Sequence, residues 1–125
     1  MGLVSGCGGA SESAAPTTTA AAPTYSVVPA AEVTAGLAEV QRIAGTLEAT
    51  RAKDEAAARV DLERMYERWY EFEGTVRAND KDLYLQMEDG LGSIKIGVQE
   101  NRPDRIVSGI ADLAAGVTAY RAANP

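Results

Sequence analysis

Four stripes of apolar positions, each stepping alternately by three and four residues, follow the first 28 residues of the chain. This spacing places side chains on one face of an α-helix and is typical of helices that pack nearly parallel or antiparallel. The stripes are Val33, Leu37, Val40, Ala44 and Leu47; Leu62, Tyr66, Trp69, Glu73 and Val76; Tyr84, Met87, Leu91, Ile94 and Val98; and Ile106, Ile110, Leu113, Val117 and Tyr120. The pattern predicts four helices.

The predicted helices are separated by capping residues and prolines. Pro29 precedes the first stripe, Asp54 can cap the second helix, Asn79-Asp80 divides the second from the third, and Pro103 opens the fourth. Short connections favour antiparallel neighbours, so we expect an all-α, up-down antiparallel four-helix bundle. The alternative is a long bent hairpin whose exposed face pairs with another chain. The first two helices could also be nearly continuous, because residues 51–54 contain no Gly or Pro.

The glycines inside the predicted helices include Gly90, Gly92, Gly97 and Gly109. Each costs roughly 1 kcal/mol of helix stability relative to alanine. Three explanations remain open for them: close approach of two helices, room beside a binding site, or simple tolerance.

The amino terminus differs in composition from the rest of the chain. Residues 1–28 are dominated by Gly, Ala, Ser, Thr and Pro, which predicts a disordered tether ahead of a helical domain at residues 29–123. Val4-Ser5-Gly6-Cys7 resembles a bacterial lipobox, in which the cysteine carries the lipid. The few residues before Cys7 cannot form a complete signal peptide, so we expect the true start upstream. The prediction is an extracytoplasmic lipoprotein held to the membrane only through Cys7.

Composition narrows the classes of function. The net charge of -6 argues against nucleic-acid binding, which requires a basic face. The absence of histidine and the single cysteine exclude a disulfide within the chain and Cys-based zinc sites. No nucleophile motif or Gly-rich phosphate loop is present, so we do not expect an enzyme.

The segment 66–89 carries the candidate chemistry, because Glu73 occupies a position on an apolar stripe. Antiparallel pairing around the turn at residues 79–81 places Glu73 level with Glu88, and Trp69 level with Leu91. Two carboxylates from facing helices therefore converge.

Three consequences of this convergence are open. Repulsion can raise one pKa, a cation can lie between the carboxylates, or Arg77 or Lys81 can form a salt bridge with Glu73. If a cation lies between them, the absence of histidine favours a hard cation or ferric iron. The oxygen ligands of this partial site would be Glu73, Glu88 and Tyr66 or Tyr84.

Residues 69–77 and 82–89 resemble the extracytoplasmic helical domains of bacterial iron-uptake systems. These domains accompany high-affinity iron permeases, and related bundles occur in imelysin-like iron proteins. The shared pattern is an aromatic residue and a glutamate near the end of one helix, an Asp-rich turn, then tyrosine and glutamate. The chain lacks the permease Arg-Glu-x-x-Glu motif and the imelysin histidine motif. The resemblance implies iron delivery or docking, with Glu73 and Glu88 at the acidic positions and a permease as partner.

Two functions follow from the sequence. The first is a lipid-anchored helical module that binds a metal such as iron during uptake. The second is a structural or interaction lipoprotein of the cell envelope that binds no metal, in which Arg77 pairs with Glu73.

Overall fold

The computed structural model describes residues 27–125, and these form five α-helices and no strand. The helices are α1 (Ala30–Lys53), α2 (Glu55–Tyr70), α3 (Glu73–Asn79), α4 (Lys81–Gln99) and α5 (Pro103–Ala123). The all-α prediction is confirmed for this part of the chain. Cys7 and most of the predicted tether lie outside the described residues. Among the helices described, none combines the length and apolarity needed to cross a membrane.

The predicted capping residues separate the helices as expected. The Oδ1 atom of Asp54 accepts the N–H of Ala57 at 3.1 Å, and Oδ1 of Asp80 accepts the N–H of Leu83 at 3.0 Å. Both aspartates have extended backbones, with φ values of -157° and -155°. Each therefore ends one helix and caps the next, so α1 and α2 are not continuous.

The second predicted helix is wrong as a single element, since it divides into α2 and α3. The backbone leaves the helix at Phe72 (φ -133°, ψ -3°), whose side chain is 2% exposed and fills the space above Gly36 of α1. The large apolar side chains buried in α2, α3 and the turn between them are Leu62, Met65, Trp69, Phe72 and Val76. Tyr66 and Glu73, which the straight-helix pattern placed on the core stripe, are only half-buried. Burial of a phenyl ring is more favourable than burial of a carboxylate. Phe72 therefore takes the core position that the straight-helix pattern gave to Glu73.

Contacts join α1 to α2 and α4 to α5. Arg68 near the end of α2 forms an ion pair with Glu39 in the first half of α1, at 2.8 Å. Between α4 and α5, the hydroxyl of Ser93 donates to the carbonyl of Arg105 at 3.1 Å. The helices enclose one apolar cluster, to which all five elements or the turns between them contribute.

Gly90, Gly97 and Gly109 lie where α4 and α5 approach closely. A Cβ atom at Gly109 would lie 2.5 Å from the carbonyl oxygen of Gly90, and one at Gly97 would lie 2.8 Å from the carbonyl oxygen of Arg102. Around Gly92 no atom lies within 4 Å of such a Cβ. Close approach therefore explains Gly90, Gly97 and Gly109, whereas Gly92 is tolerated.

We predict opposite effects for two alanine substitutions on this helix pair. Gly109→Ala should lower the free energy of unfolding by about 1–3 kcal/mol, because the backbone of α4 must move away. Gly92→Ala, the matched control, should raise it by up to about 1 kcal/mol through helix propensity alone. Urea denaturation followed by circular dichroism measures both. Stabilisation by both substitutions would contradict the close packing of α4 on α5.

Candidate functional site

Trp69, in the last turn of α2, is the centre of the candidate site. Its side chain is fully buried, and its indole N–H donates a hydrogen bond of 2.5 Å to Oε1 of Glu88 on α4. The indole stacks on Tyr84 with a centroid distance of 6.0 Å and meets the edge of Phe72 at 5.4 Å. Ring contacts and one hydrogen bond therefore fix the direction of the N–H group.

Glu73, the first residue of α3, joins this arrangement. Its carboxylate lies next to the Trp69 indole and the Tyr84 phenol, whose hydrogen bonding lowers its pKa. The indole N–H itself points at Glu88. The expected convergence of the two glutamates is thus present. Trp69, which antiparallel pairing placed level with Leu91, contacts Glu88 and Tyr84 through its side chain.

The environment of Glu73 disfavours its charged form. Burial raises the pKa of Glu73 above its ordinary value of 4.5, and the negative charge of Glu88 raises that pKa further. Hydrogen bonds from Trp69 and Tyr84 and the charge of Arg77 act in the opposite direction, with Arg77 the smallest of these influences. The guanidinium of Arg77 lies 5.7 Å from the centroid of the Tyr84 ring. Repulsion between carboxylates therefore outweighs the predicted effect of Arg77.

Tyr66 lies at the edge of the same cluster. Burial and the neighbouring charge of Glu88, with a smaller effect from Tyr70, raise the pKa of Tyr66 to about 12. The phenol is consequently neutral near pH 7 and donates hydrogen bonds more readily than it provides an anionic ligand. Tyr84, the other predicted phenol ligand, hydrogen-bonds Glu73.

The carboxylate and phenol oxygens of the cluster form only part of a ligand set for a hard cation. Carboxylate and phenol oxygens are the ligands that such cations prefer. Within residues 27–125, no three His, Cys, Asp or Glu side chains come together in a group suited to a metal ion. Glu73 and Glu88 would therefore hold a cation as a pair, with water or another molecule completing its coordination.

The contribution of Trp69 as a donor was missed in the sequence. A tryptophan on a core-facing stripe requires a partner for its N–H, and a carboxylate four residues later lies on the same helix face. That combination was the available signal. Phe72 gave no comparable signal, because it lies off the regular stripe.

Comparison with known proteins finds no matching family model, no matching curated protein and no matching solved structure. The resemblance to iron-uptake domains therefore remains a prediction from the residues.

We predict that Glu73→Gln changes stability in a pH-dependent way. A carboxyl with a raised folded-state pKa contributes stability at low pH that is lost as pH rises through that pKa. Relative to the unaltered chain, the glutamine variant should therefore gain unfolding free energy as pH increases from about 4.5 towards 7. Urea denaturation across this range measures the gain.

Glu67→Gln is the control, because it removes the same charge from an exposed position on α2. A stability difference for Glu73→Gln that does not vary with pH, once the control is subtracted, would show that Glu73 titrates as an ordinary surface carboxyl.

Proposed function

We propose that the protein is a non-catalytic, lipid-anchored helical module outside the cytoplasm, whose Glu73–Glu88 pair binds a hard cation such as iron. The observation that supports this proposal is that two carboxylates on neighbouring helices lie beside the same buried indole. A cation between them would relieve the repulsion that raises the pKa of Glu73.

The proposed fold is an up-down four-helix bundle in which α2 and α3 together form the second arm. The antiparallel contacts of α1 with α2 and of α4 with α5 support this arrangement. In such a bundle the candidate site lies between the second and third arms. Inward glutamates on facing helices are a recurrent way for bundles to bind iron or manganese.

The proposed site is weak and sensitive to pH. Two carboxylates provide few protein ligands, which suits transfer of a cation better than its storage. Protons compete for Glu73 because its pKa is raised, so a cation would be released as the solution is acidified. A weak, reversible site is consistent with delivery to an envelope partner such as an iron permease.

The anchor is proposed from the lipobox-like Val4-Ser5-Gly6-Cys7 and the Ala/Pro/Thr-rich residues after it. A tether of this composition would let the helical domain move away from the membrane surface while remaining attached to it. The acidic net charge of -6 accords with cation binding and disfavours nucleic acid as a partner.

A second candidate function is that of a structural or interaction lipoprotein without a metal site. The observation in its favour is that Trp69 and Tyr84 already provide hydrogen-bond donors to the carboxylates. The cluster would then stabilise the contact between α4 and the arm formed by α2 and α3, and an envelope protein would be the partner.

Calorimetric titration with Mn²⁺, and with Fe²⁺ under anaerobic conditions, tests the first proposal. We expect one site with a dissociation constant on the order of 10⁻⁴ to 10⁻³ M, the range of sites with few charged ligands. The double variant Glu73→Gln, Glu88→Gln should weaken binding at least about tenfold, since it removes both charged ligands while keeping the side-chain volumes.

The control is the double variant Asp89→Asn, Asp112→Asn, which removes two exposed carboxylates from α4 and α5. It should bind either ion as the unaltered chain does. Equal binding by both double variants would place the ion elsewhere, and no detectable binding by the unaltered chain would favour the structural candidate.

A further inference from the structure

A recess lies on the surface of the molecule between α2 and α4. This α2–α4 groove has a volume of about 390 Å³, and its lining includes Leu62, Glu63, Tyr66, Glu67, Tyr70 and Lys95. Leu62 belongs to the core and is 5% exposed, so it forms the apolar floor. The groove is therefore open to solvent while resting on the core.

One wall of the groove is aromatic. The rings of Tyr66 and Tyr70 lie on the same side of α2, with centroids 5.8 Å apart and planes inclined at 42°. Tyr70 is 61% exposed, which is unusual for so large an apolar ring in a small domain. The Tyr70 ring contributes little to the core and leaves an aromatic surface accessible.

The rim of the groove is acidic. Glu63 and Glu67 are exposed on α2 and lie four residues apart, and Tyr66 and Tyr70 follow each of them by three. This spacing places all four side chains on one face of the helix. Two carboxylates therefore flank two tyrosine rings along about two turns of helix.

A cation of the protein itself already contacts this wall. The Nζ atom of Lys95 on α4 lies 5.8 Å from the centroid of the Tyr66 ring. Elsewhere the guanidinium of Arg68 lies 5.8 Å from the Phe72 ring, a further cation held against an aromatic face. The lysine is exposed and flexible, so another cation could replace it at Tyr66.

We infer that the α2–α4 groove binds an arginine side chain on a basic segment of a partner protein. A guanidinium is flat, stacks on tyrosine faces and can form paired hydrogen bonds with carboxylates, so it matches both the rings and the rim. The acidic charge of the whole chain would attract such a segment. The site is separate from the Glu73–Glu88 pair and does not depend on cation binding there, although Tyr66 borders both.

Fluorescence anisotropy with labelled peptides tests this inference. The probes are three capped peptides of equal length with alternating Arg-Gly, Lys-Gly or Glu-Gly residues, each titrated with the folded chain at about 0.15 M ionic strength. We expect the arginine peptide to bind more tightly than the lysine peptide and the glutamate peptide not to bind. Tyr70→Leu should weaken binding of the arginine peptide by about two- to fivefold, through loss of one cation–π contact.

Lys95→Met distinguishes binding in the groove from attraction by the overall charge. Removal of the lysine should strengthen arginine-peptide binding by more than Lys53→Met does, because only Lys95 competes for the Tyr66 ring. Lys53, exposed at the end of α1, is the matched control for the change in net charge. Circular dichroism confirms that each variant is folded.

Several results would overturn the inference. They are equal binding of the arginine and lysine peptides, no effect of Tyr70→Leu, or equal strengthening by Lys95→Met and Lys53→Met. Each would mean that peptides respond to overall charge and not to the groove.

Discussion

The contact between α4 and the arm formed by α2 and α3 depends on finding an acceptor for one buried indole N–H. Trp69 is fully buried, and an unpaired N–H in that position would cost about 1–3 kcal/mol. Glu88 provides the acceptor from α4 at 2.5 Å, and Glu73 on α3 lies beside the same indole. This packing brings two carboxylates together, and the charge of Glu88 contributes to the raised pKa of Glu73.

The helix break at Phe72 makes this arrangement possible. If α2 continued through residue 73, Glu73 would face the core and Phe72 would lie off the core stripe. The break lets Phe72 fill the space above Gly36 and pack edge-on against Trp69 at 5.4 Å, while Glu73 stays half-buried. The carboxylate therefore retains some solvent, which limits its desolvation and leaves it accessible to ions and protons.

Much of the fold follows from local signals in the sequence. Apolar spacing predicts the helices, and Asp54, Asp80 and Pro103 mark their ends through capping and first-turn preferences that act within a few residues. The break at Phe72 could not be predicted in this way, because no Pro marks it and the space that the Phe72 ring fills, above Gly36, belongs to another helix. Likewise, the glutamate pair was expected, whereas the hydrogen bond from Trp69 to Glu88 depends on how the rings pack. Whether the pair binds a metal stays a prediction.

The most direct test of this account uses the one tryptophan of the chain, which gives a single indole N–H signal in a nitrogen–proton NMR spectrum. The account predicts that this proton exchanges slowly with solvent and that its chemical shift follows the titration of Glu73 at a pH above 4.5. A rapidly exchanging signal that does not respond to pH would contradict the Trp69–Glu88 hydrogen bond beside Glu73, and with it the basis of the proposed site.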